Sequence, residues 1–451
     1  MRVVASVNDF SNGFDEQSDI FNRKKLHELI VRVVTNAPDK SLVLALDDQW
    51  GNGKTSFVRM MESEIELKHS DDLDIIYFDA FENDYQSDPF LALSSQIYKM
   101  LEKDQGILNK LGGNFLSAGK KVGASLLTNG AKLFISAATA NIVNGTVLEK
   151  TGDAISDSLY SPLEKFIENK IKSSANEERE IVNFKNVLSD IYKETNKKII
   201  FVIDELDRAR PDFSLDLLEK IKHIFSVEGF VFLLVMNRGQ FEQSIEHRYG
   251  KIDSRLYLNK FIHYWFTLPK IKQTTQQTYQ TSTLVSFLNN LQSNGSNVIS
   301  HGSVTMKTLA YLLEINNCSL REAERCFSVY CLIKGGDQVS SYLQAYQAAF
   351  ACAAFLKVHN PKLLEKLAYR DISFKDALSG LNLSSKKASD SDELYYLIGV
   401  LEYSLLSDEE IAGNKKNNPK IYDEFDLGRS TKRIAYFNNI QKSIEDFIID
   451  I

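Results

Sequence analysis

A short apolar run, Leu42 to Leu46, passes through Asp47-Asp48-Gln49-Trp50-Gly51-Asn52-Gly53-Lys54-Thr55-Ser56 into apolar residues at helical spacing from Thr55 to Leu67. A buried strand that turns through glycines directly into a helix leaves the first helical N–H groups unpaired, with the positive end of the helix dipole facing the loop. That arrangement receives anions, phosphate above all. Gly51 and Gly53 let the backbone approach phosphate oxygens, Lys54 is placed to reach the β- and γ-phosphates, and Thr55 to ligate Mg²⁺. In the pattern G-x-x-x-x-G-K-[ST] the first glycine position is occupied by Asp48.

A second segment supplies the chemistry the first one lacks. Ile199-Ile200-Phe201-Val202-Ile203-Asp204-Glu205 is an apolar strand ending in two acids, and parallel sheets present their ligands beyond the carboxyl ends of the strands. Asp204 is suited to hold Mg²⁺ through water. Glu205, one residue on, points elsewhere and can polarise an attacking water. A third run, Phe230 to Met236, ends at Asn237. Its side chain is either a sensor that hydrogen-bonds the γ-phosphate or the water, or a turn former that opens a loop. Arg208, Arg210 and Arg238 are candidates to neutralise transition-state charge, in the same subunit or in a neighbour.

Two further runs, Ile75 to Phe78 and Tyr264 to Leu268, complete five strands, separated by helical patterns at Thr55–Leu67, Pro89–Leu101 and Phe213–Phe225. Alternating strands and helices imply parallel pairing through right-handed crossovers, so the fold class is α/β, a three-layer core with a parallel sheet. After Pro269 the strand signals fade, and Thr281–Leu291, Leu320–Ile333, Tyr342–Leu356 and Ile434–Ile449 carry helical spacing. The expected division is 1–105 and 161–270 as the two halves of the core, 106–160 as a helical insert and 271–451 as a helical C-terminal domain.

The insert differs in composition: from Val122 to Leu148 the only charge is Lys132. The length spans a bilayer, but Lys132, Asn129, Asn141 and Asn144 interrupt it and small residues dominate. A packed or self-associating hairpin is the reading, with membrane contact through 122–148 as the alternative. A net charge of −7 argues against a surface that coats nucleic acid, and basic clusters are short, as at Lys415-Lys416. Cys318, Cys326, Cys331 and Cys352 form no Cys-x-x-Cys pair and read as buried thiols. His223, His247, His263 and His301 lie in separate segments without metal spacing. The N-terminus has no apolar stretch of signal-peptide length, so a cytoplasmic setting is expected, with a peripheral position at the inner membrane as the alternative.

Together these segments resemble the KAP family of P-loop NTPases, additional-strand ATPases related to AAA+ and STAND proteins, over roughly Asp19 to Arg325. Trp50 to Ser56 looks like the family's tryptophan-containing phosphate loop. Tyr77-Phe78-Asp79-Ala80-Phe81, with Asp88 to Leu93, is similar to its aromatic segment after the second strand, Phe81 standing where Trp is usual. Asp204-Glu205-Leu206-Asp207-Arg208 resembles its Asp-Asp-Leu-Asp-Arg segment with Glu205 for the second Asp, and Tyr257 to Phe261 its Tyr-Leu-x-Lys segment. The resemblance implies that Arg23, in Asp19-Ile20-Phe21-Asn22-Arg23, helps to line an adenine pocket, and that Arg321, in Ser319-Leu320-Arg321-Glu322, acts as a second sensor. It implies ATP and Mg²⁺ as ligands and a role in bacterial regulation or defence, often against phage.

The expected nucleotide contacts are therefore Trp50, Gly51, Asn52, Gly53, Lys54, Thr55, Ser56, Arg23 and Arg321, with Asp204 and Thr55 at the metal and Glu205, Lys54, Asn237 and Arg208 in catalysis. An ATPase that switches its assembly state, as a homo-oligomer or with a companion effector protein, is the leading expectation. An ATP-dependent scaffold with incidental turnover and a nucleic-acid-associated ATPase are the rivals.

Overall fold

The computed structural model describes residues 10–37, 41–86, 88–126, 156–271, 282–294, 303–334, 344–417 and 434–445. Five parallel strands, β1 (Leu42–Asp47), β2 (Leu73–Asp79), β3 (Lys198–Asp204), β4 (Phe230–Met236) and β5 (Tyr264–Thr267), form one sheet in the order β2-β3-β4-β1-β5. β4 therefore stands between the strand that leads to Lys54 and the strand that ends at Asp204. The register sets Asp47 opposite Met236 and Asp79 opposite Asp204, so all the acidic strand ends lie along one edge.

The period of two along each strand sorts its side chains between two faces. Leu42, Leu44 and Leu46 with Val231, Leu233 and Val235 pack under α1 (Lys24–Thr35) and α2 (Lys54–Lys68), against Ile30, Val34, Phe57, Met61 and Ile65. Phe201, Ile203, Phe232 and Leu234 point the other way, under α3 (Pro89–Glu102), α4 (Ser156–Thr195), α5 (Pro211–Lys220) and α6 (Arg238–Tyr249). Burial on both faces explains why these strands read as continuous apolar runs. On the second face Phe90, Phe184 and Phe225 meet with ring centroids 5.1–5.8 Å apart. Truncating one such buried phenylalanine to alanine costs about 3–5 kcal/mol.

The expected strands all form. Phe213–Phe225 is helical from Pro211 to Lys220 and then widens into a π-helical turn over Ile221–Phe225. α4 is new relative to the sequence reading and runs through residue 160 without a break. Among its described side chains, Phe184, Leu188 and Ile191 near its end are the fully buried apolar ones against the core. The insert is described up to residue 126, where Phe115, Ala118 and Val122 pack on the face that α4 shares. Residues 127–155, which hold most of the Val122–Leu148 stretch, lie outside the described residues. Among those described, no helix is long and apolar enough to cross a membrane.

Beyond β5 every described element is helical. Thr283–Asn294, Val304–Ile315, α7 (Leu320–Lys334), α8 (Gln344–His359), Pro361–Tyr369, Asp392–Leu405 and Tyr436–Glu445 enclose a separate core around Leu309, Leu313, Tyr330, Cys352, Leu397 and Tyr436. Phe21, from the segment before α1, joins this helical core, so the N-terminal segment bridges sheet and helices.

Candidate nucleotide site

The loop after β1 is stitched by the residue that departs from the glycine pattern. Asp48 is buried, and its Oδ1 accepts from the Asn52 side-chain amide at 2.6 Å and from the Gln49 N–H at 2.7 Å. The side chain holds the loop closed where the usual sequence relies on glycine. Gly51 and Gly53 are left-handed, with φ of 82° and 80°, as an unstrained loop of this shape requires. Gly53 is the N-cap of α2 and supplies no side-chain cap. The first-turn N–H groups consequently remain available to an anion.

Lys54 crosses back over the loop and donates to the Asp48 carbonyl at 2.6 Å and to the Gln49 carbonyl at 3.2 Å. Burial pulls its pKa down, while Asp207, Asp48, Asp204 and Asp47 hold it up. The four acids keep a charged ammonium in a desolvated place. Thr55 Oγ1 donates to Asp204 Oδ2 at 2.7 Å, joining the loop to the end of β3 across 149 residues of sequence. Asp204 is almost fully buried; burial raises its pKa, and hydrogen bonds from Thr55, the Glu205 N–H and Tyr77 oppose that rise. Tyr77 Oη donates to Asp204 Oδ2 at 3.1 Å, and the Arg59 guanidinium lies 3.5 Å over the Tyr77 ring. Tyr77 lies within β2 rather than after it, and sequence reasoning gave it no site role. The signal was its place two residues before the end of the strand next to β3.

Glu205 begins the turn after β3 with φ of 54°, a conformation that costs a non-glycine residue about 1–3 kcal/mol. Its Oε1 accepts from Arg208 Nη1 at 2.7 Å. Burial raises the Glu205 pKa, and Arg208 counters it. Asp207 accepts a short hydrogen bond from the Trp50 indole N–H, and the Arg208 guanidinium stands 5.6 Å from the Trp50 ring.

These groups open onto a cleft of about 790 Å³ lined by three parts of the chain. The loop and the β3 end contribute Trp50, Gly51, Gly53, Lys54, Thr55, Ser56, Asp204, Glu205, Asp207 and Arg208. The N-terminal segment contributes Ile20, Phe21 and Arg23, and the helical region Phe287, Asn290, Leu320, Arg321 and Glu324. Ile20, Phe21, Phe287 and Leu320 give one end an apolar character, with the Phe21 and Phe287 rings 6.3 Å apart. Phe287, Leu320 and Glu324 were not foreseen, because only the packing of the helices onto the sheet brings them to the loop. Arg23 is buried, donates to the carbonyls of Asn52 at 2.9 Å and Gly53 at 3.2 Å, and lies 4.5 Å over the Phe21 ring. Burial takes its pKa down to about 10. The Arg321 N–H donates to the Gly51 carbonyl at 3.1 Å, which brings α7 onto the loop.

Four candidates do not line the cleft. Asn237 caps α6, accepting from the Gln240 N–H at 3.3 Å, and borders a neighbouring depression with Asp47 and Asp48 rather than the cleft. Arg238 pairs with Glu242 at 2.7 Å and lies 4.6 Å from the Trp265 ring, and Arg210 binds Asp84 through its N–H and its guanidinium. Asn52 turns its side chain to Asp48 and its carbonyl to Arg23.

The donor set fits a hard cation: a threonine hydroxyl and a carboxylate oxygen, adjacent and partly desolvated, are oxygen ligands of the kind Mg²⁺ takes alongside water and phosphate.

Comparison with known proteins returned solved structures of low similarity. The Aeropyrum pernix ORC2 protein in ADPNP–ADP complexes shares 12% identity at a TM-score of 0.37, over 94% of this chain and 92% of that one. The Aeropyrum pernix ORC1 protein in complex with DNA shares 14% at 0.36, over 92% and 86%. CDC6P from Pyrobaculum aerophilum shares 11% at 0.38, over 88% and 90%. With TM-scores this low, no property of those proteins is carried over to this chain. None of the curated proteins compared matches it. The KAP family P-loop domain, by contrast, matches residues 23–330, more than half of the chain, and the chain belongs to that family.

Proposed function

We propose that this P-loop NTPase binds ATP with Mg²⁺ and hydrolyses it, and that the nucleotide switches its assembly or a partner's activity. The observation that carries this reading is the Thr55–Asp204 contact of 2.7 Å, which joins a hydroxyl and a carboxylate beside an ammonium and an uncapped helix N-terminus. In this reading the α2 N–H groups and Lys54 hold the phosphates, and Ile20, Phe21, Phe287 and Leu320 hold the base. Glu205 takes a proton from the attacking water at a carboxylate oxygen. Mg²⁺, when bound, neutralises phosphate charge. Arg208 restrains Glu205 and is the arginine of the three best situated to answer the γ-phosphate; Arg321 reports the nucleotide to the helical region.

The family's association with defence supports a role against phage, and the small-residue stretch at 122–148 supports homo-oligomerisation. A division of the chain at about residues 105, 160 and 270 is part of the same proposal. The Glu205–Arg208 pair also favours a second reading, a nucleotide-held scaffold in which turnover stays low until Arg208 is drawn away. Lys54→Ala tests the common ground. Hydrogen bonds to charged groups contribute about 1.5–3 kcal/mol each, so losing the ammonium should weaken ATP binding by at least about tenfold. Unchanged affinity in calorimetry would overturn the site. Plaque assays on the same variant test the defence role, which fails if wild type and variant plate a broad phage panel equally.

A further inference from the structure

We propose that Cys318, Glu322 and His359 form a binding site for a single zinc-type metal ion at the foot of α7. The three side chains come from the ends of three helices. The helix Val304–Ile315 ends in a turn with Asn317 left-handed at φ of 51° and the Cys318 N–H bonded to the Leu313 carbonyl at 2.9 Å, and this turn presents the Cys318 thiol. Glu322 lies in the first turn of α7. His359 is the last residue of α8, stacked on Phe355 at 4.6 Å. One ligand atom from each lies within 4.8 Å of the others.

The Cys318–His359 spacing is that of two ligands around a common ion, with Glu322 close enough to join them. Zinc takes thiolate sulfur at about 2.3 Å and imidazole nitrogen at about 2.0 Å, and at a tetrahedral angle those two atoms stand about 3.5 Å apart. Cys318 Sγ and His359 Nε2 are 3.6 Å apart. Glu322 divides its carboxylate. Oε2 accepts from the Ser319 N–H and hydroxyl, each at 2.7 Å, as a helix-capping contact, while Oε1 lies 3.7 Å from His359 Nδ1, the ring nitrogen that does not face the thiol. In the proposed site Nε2 is the imidazole donor, and a Glu322 carboxylate oxygen, within 4.8 Å of the other two ligand atoms, is the third. All three residues are only partly buried, so a water completes four-coordination. The other cysteines, Cys326, Cys331 and Cys352, are buried in the helical core, and Cys318 alone among the four is partly exposed.

An ion here would pin the turn before α7 to the end of α8. That turn also carries Ser319, which packs on Gly51. Zinc binding itself is independent of the nucleotide reading and is tested without nucleotide. The full chain, stripped with a chelator, is titrated with Zn²⁺ alone against a chromogenic competitor, and separately with Co²⁺ while thiolate-to-cobalt charge-transfer absorption is followed. One equivalent should bind, with the charge-transfer band present. Affinity should fall at least about tenfold in Glu322→Gln and about a hundredfold in Cys318→Ser and His359→Gln. No charge-transfer band in the wild-type chain would overturn the site whether or not any variant folds. So would equal zinc affinity in wild type and a folded His359→Gln chain.

Discussion

Gly51→Ala probes the joint between the phosphate loop and the helical region. A methyl at residue 51 would stand 2.8 Å from Arg321 Cβ and 2.8 Å from Ser319 Oγ, with φ of 82°. Holding alanine in the left-handed region costs about 1–2 kcal/mol. The steric part falls on a Cβ next to the α7 backbone, which cannot swing aside, and overpacking of that kind costs about 1–3 kcal/mol. Gly53→Ala is the matched control: the same backbone cost applies at φ of 80°, but the nearest atom is Arg23 Nη1 at 3.1 Å, the end of a long side chain. The two variants should therefore differ chiefly by the steric contribution. A chain with separate cores does not guarantee a single unfolding transition, so hydrogen exchange along Leu320–Lys334 is the appropriate assay. A loss of about 2 kcal/mol in opening free energy speeds exchange about 30-fold. Equal exchange in α7 for Gly51→Ala and Gly53→Ala would show that Gly51 does not seat the helix.

Glu205→Gln should bind ATP and turn it over at least about a hundredfold more slowly, the usual contribution of a general base, and unimpaired single-turnover hydrolysis would contradict the assignment. Glu205 acts ionised, and burial already raises its pKa, so hydrolysis should fall as pH drops through that raised value. Arg208→Ala removes the influence that opposes the rise, which shifts the acid limb to higher pH; an unmoved or lowered limb in the pH–rate profile would refute the pairing. If the insert self-associates, light scattering with ATP should give a multiple of the chain mass that disappears when residues 122–148 are replaced by a Gly/Ser linker. A constant single-chain mass would leave the oligomer reading without support.

The central strands β1, β3 and β4 were readable because each is buried on both faces and so appears as an unbroken apolar run ended by a turn residue, as with Ile199 to Ile203 before Asp204. α4 was not. Among the described side chains of this helix of 40 residues the fully buried strongly apolar ones are Phe184, Leu188 and Ile191, and three such positions near its end carry too little periodic signal to mark a helix of that length. The π-helical turn at Ile221–Phe225 was equally unreadable, since an extra residue per turn leaves the apolar composition intact and shifts only the spacing.

The site divides along the same physical line. Lys54, Thr55, Asp204 and Glu205 could be named because each ends its strand or follows it closely in sequence, and strand ends of a parallel sheet share one edge whatever the rest of the chain does. Asp48 looked like a defect in the glycine pattern and proves to be the residue that closes the loop, through Asn52 and the Gln49 N–H. Its function depends on a side chain four residues away folding back, which spacing alone does not reveal. Phe287, Leu320 and Glu324 are a third kind, contributed by helices whose own patterns concern a different core. Their arrival at the cleft rests on two contacts that no local rule encodes, Phe21 buried among those helices and the Arg321 N–H on the Gly51 carbonyl. In the proposed reading, a nucleotide in this cleft would touch the sheet, the N-terminal segment and the helical region at once. Its departure would then cost the helices a shared surface with the loop, and the Gly51–Arg321 contact is the narrowest place where that loss would be felt.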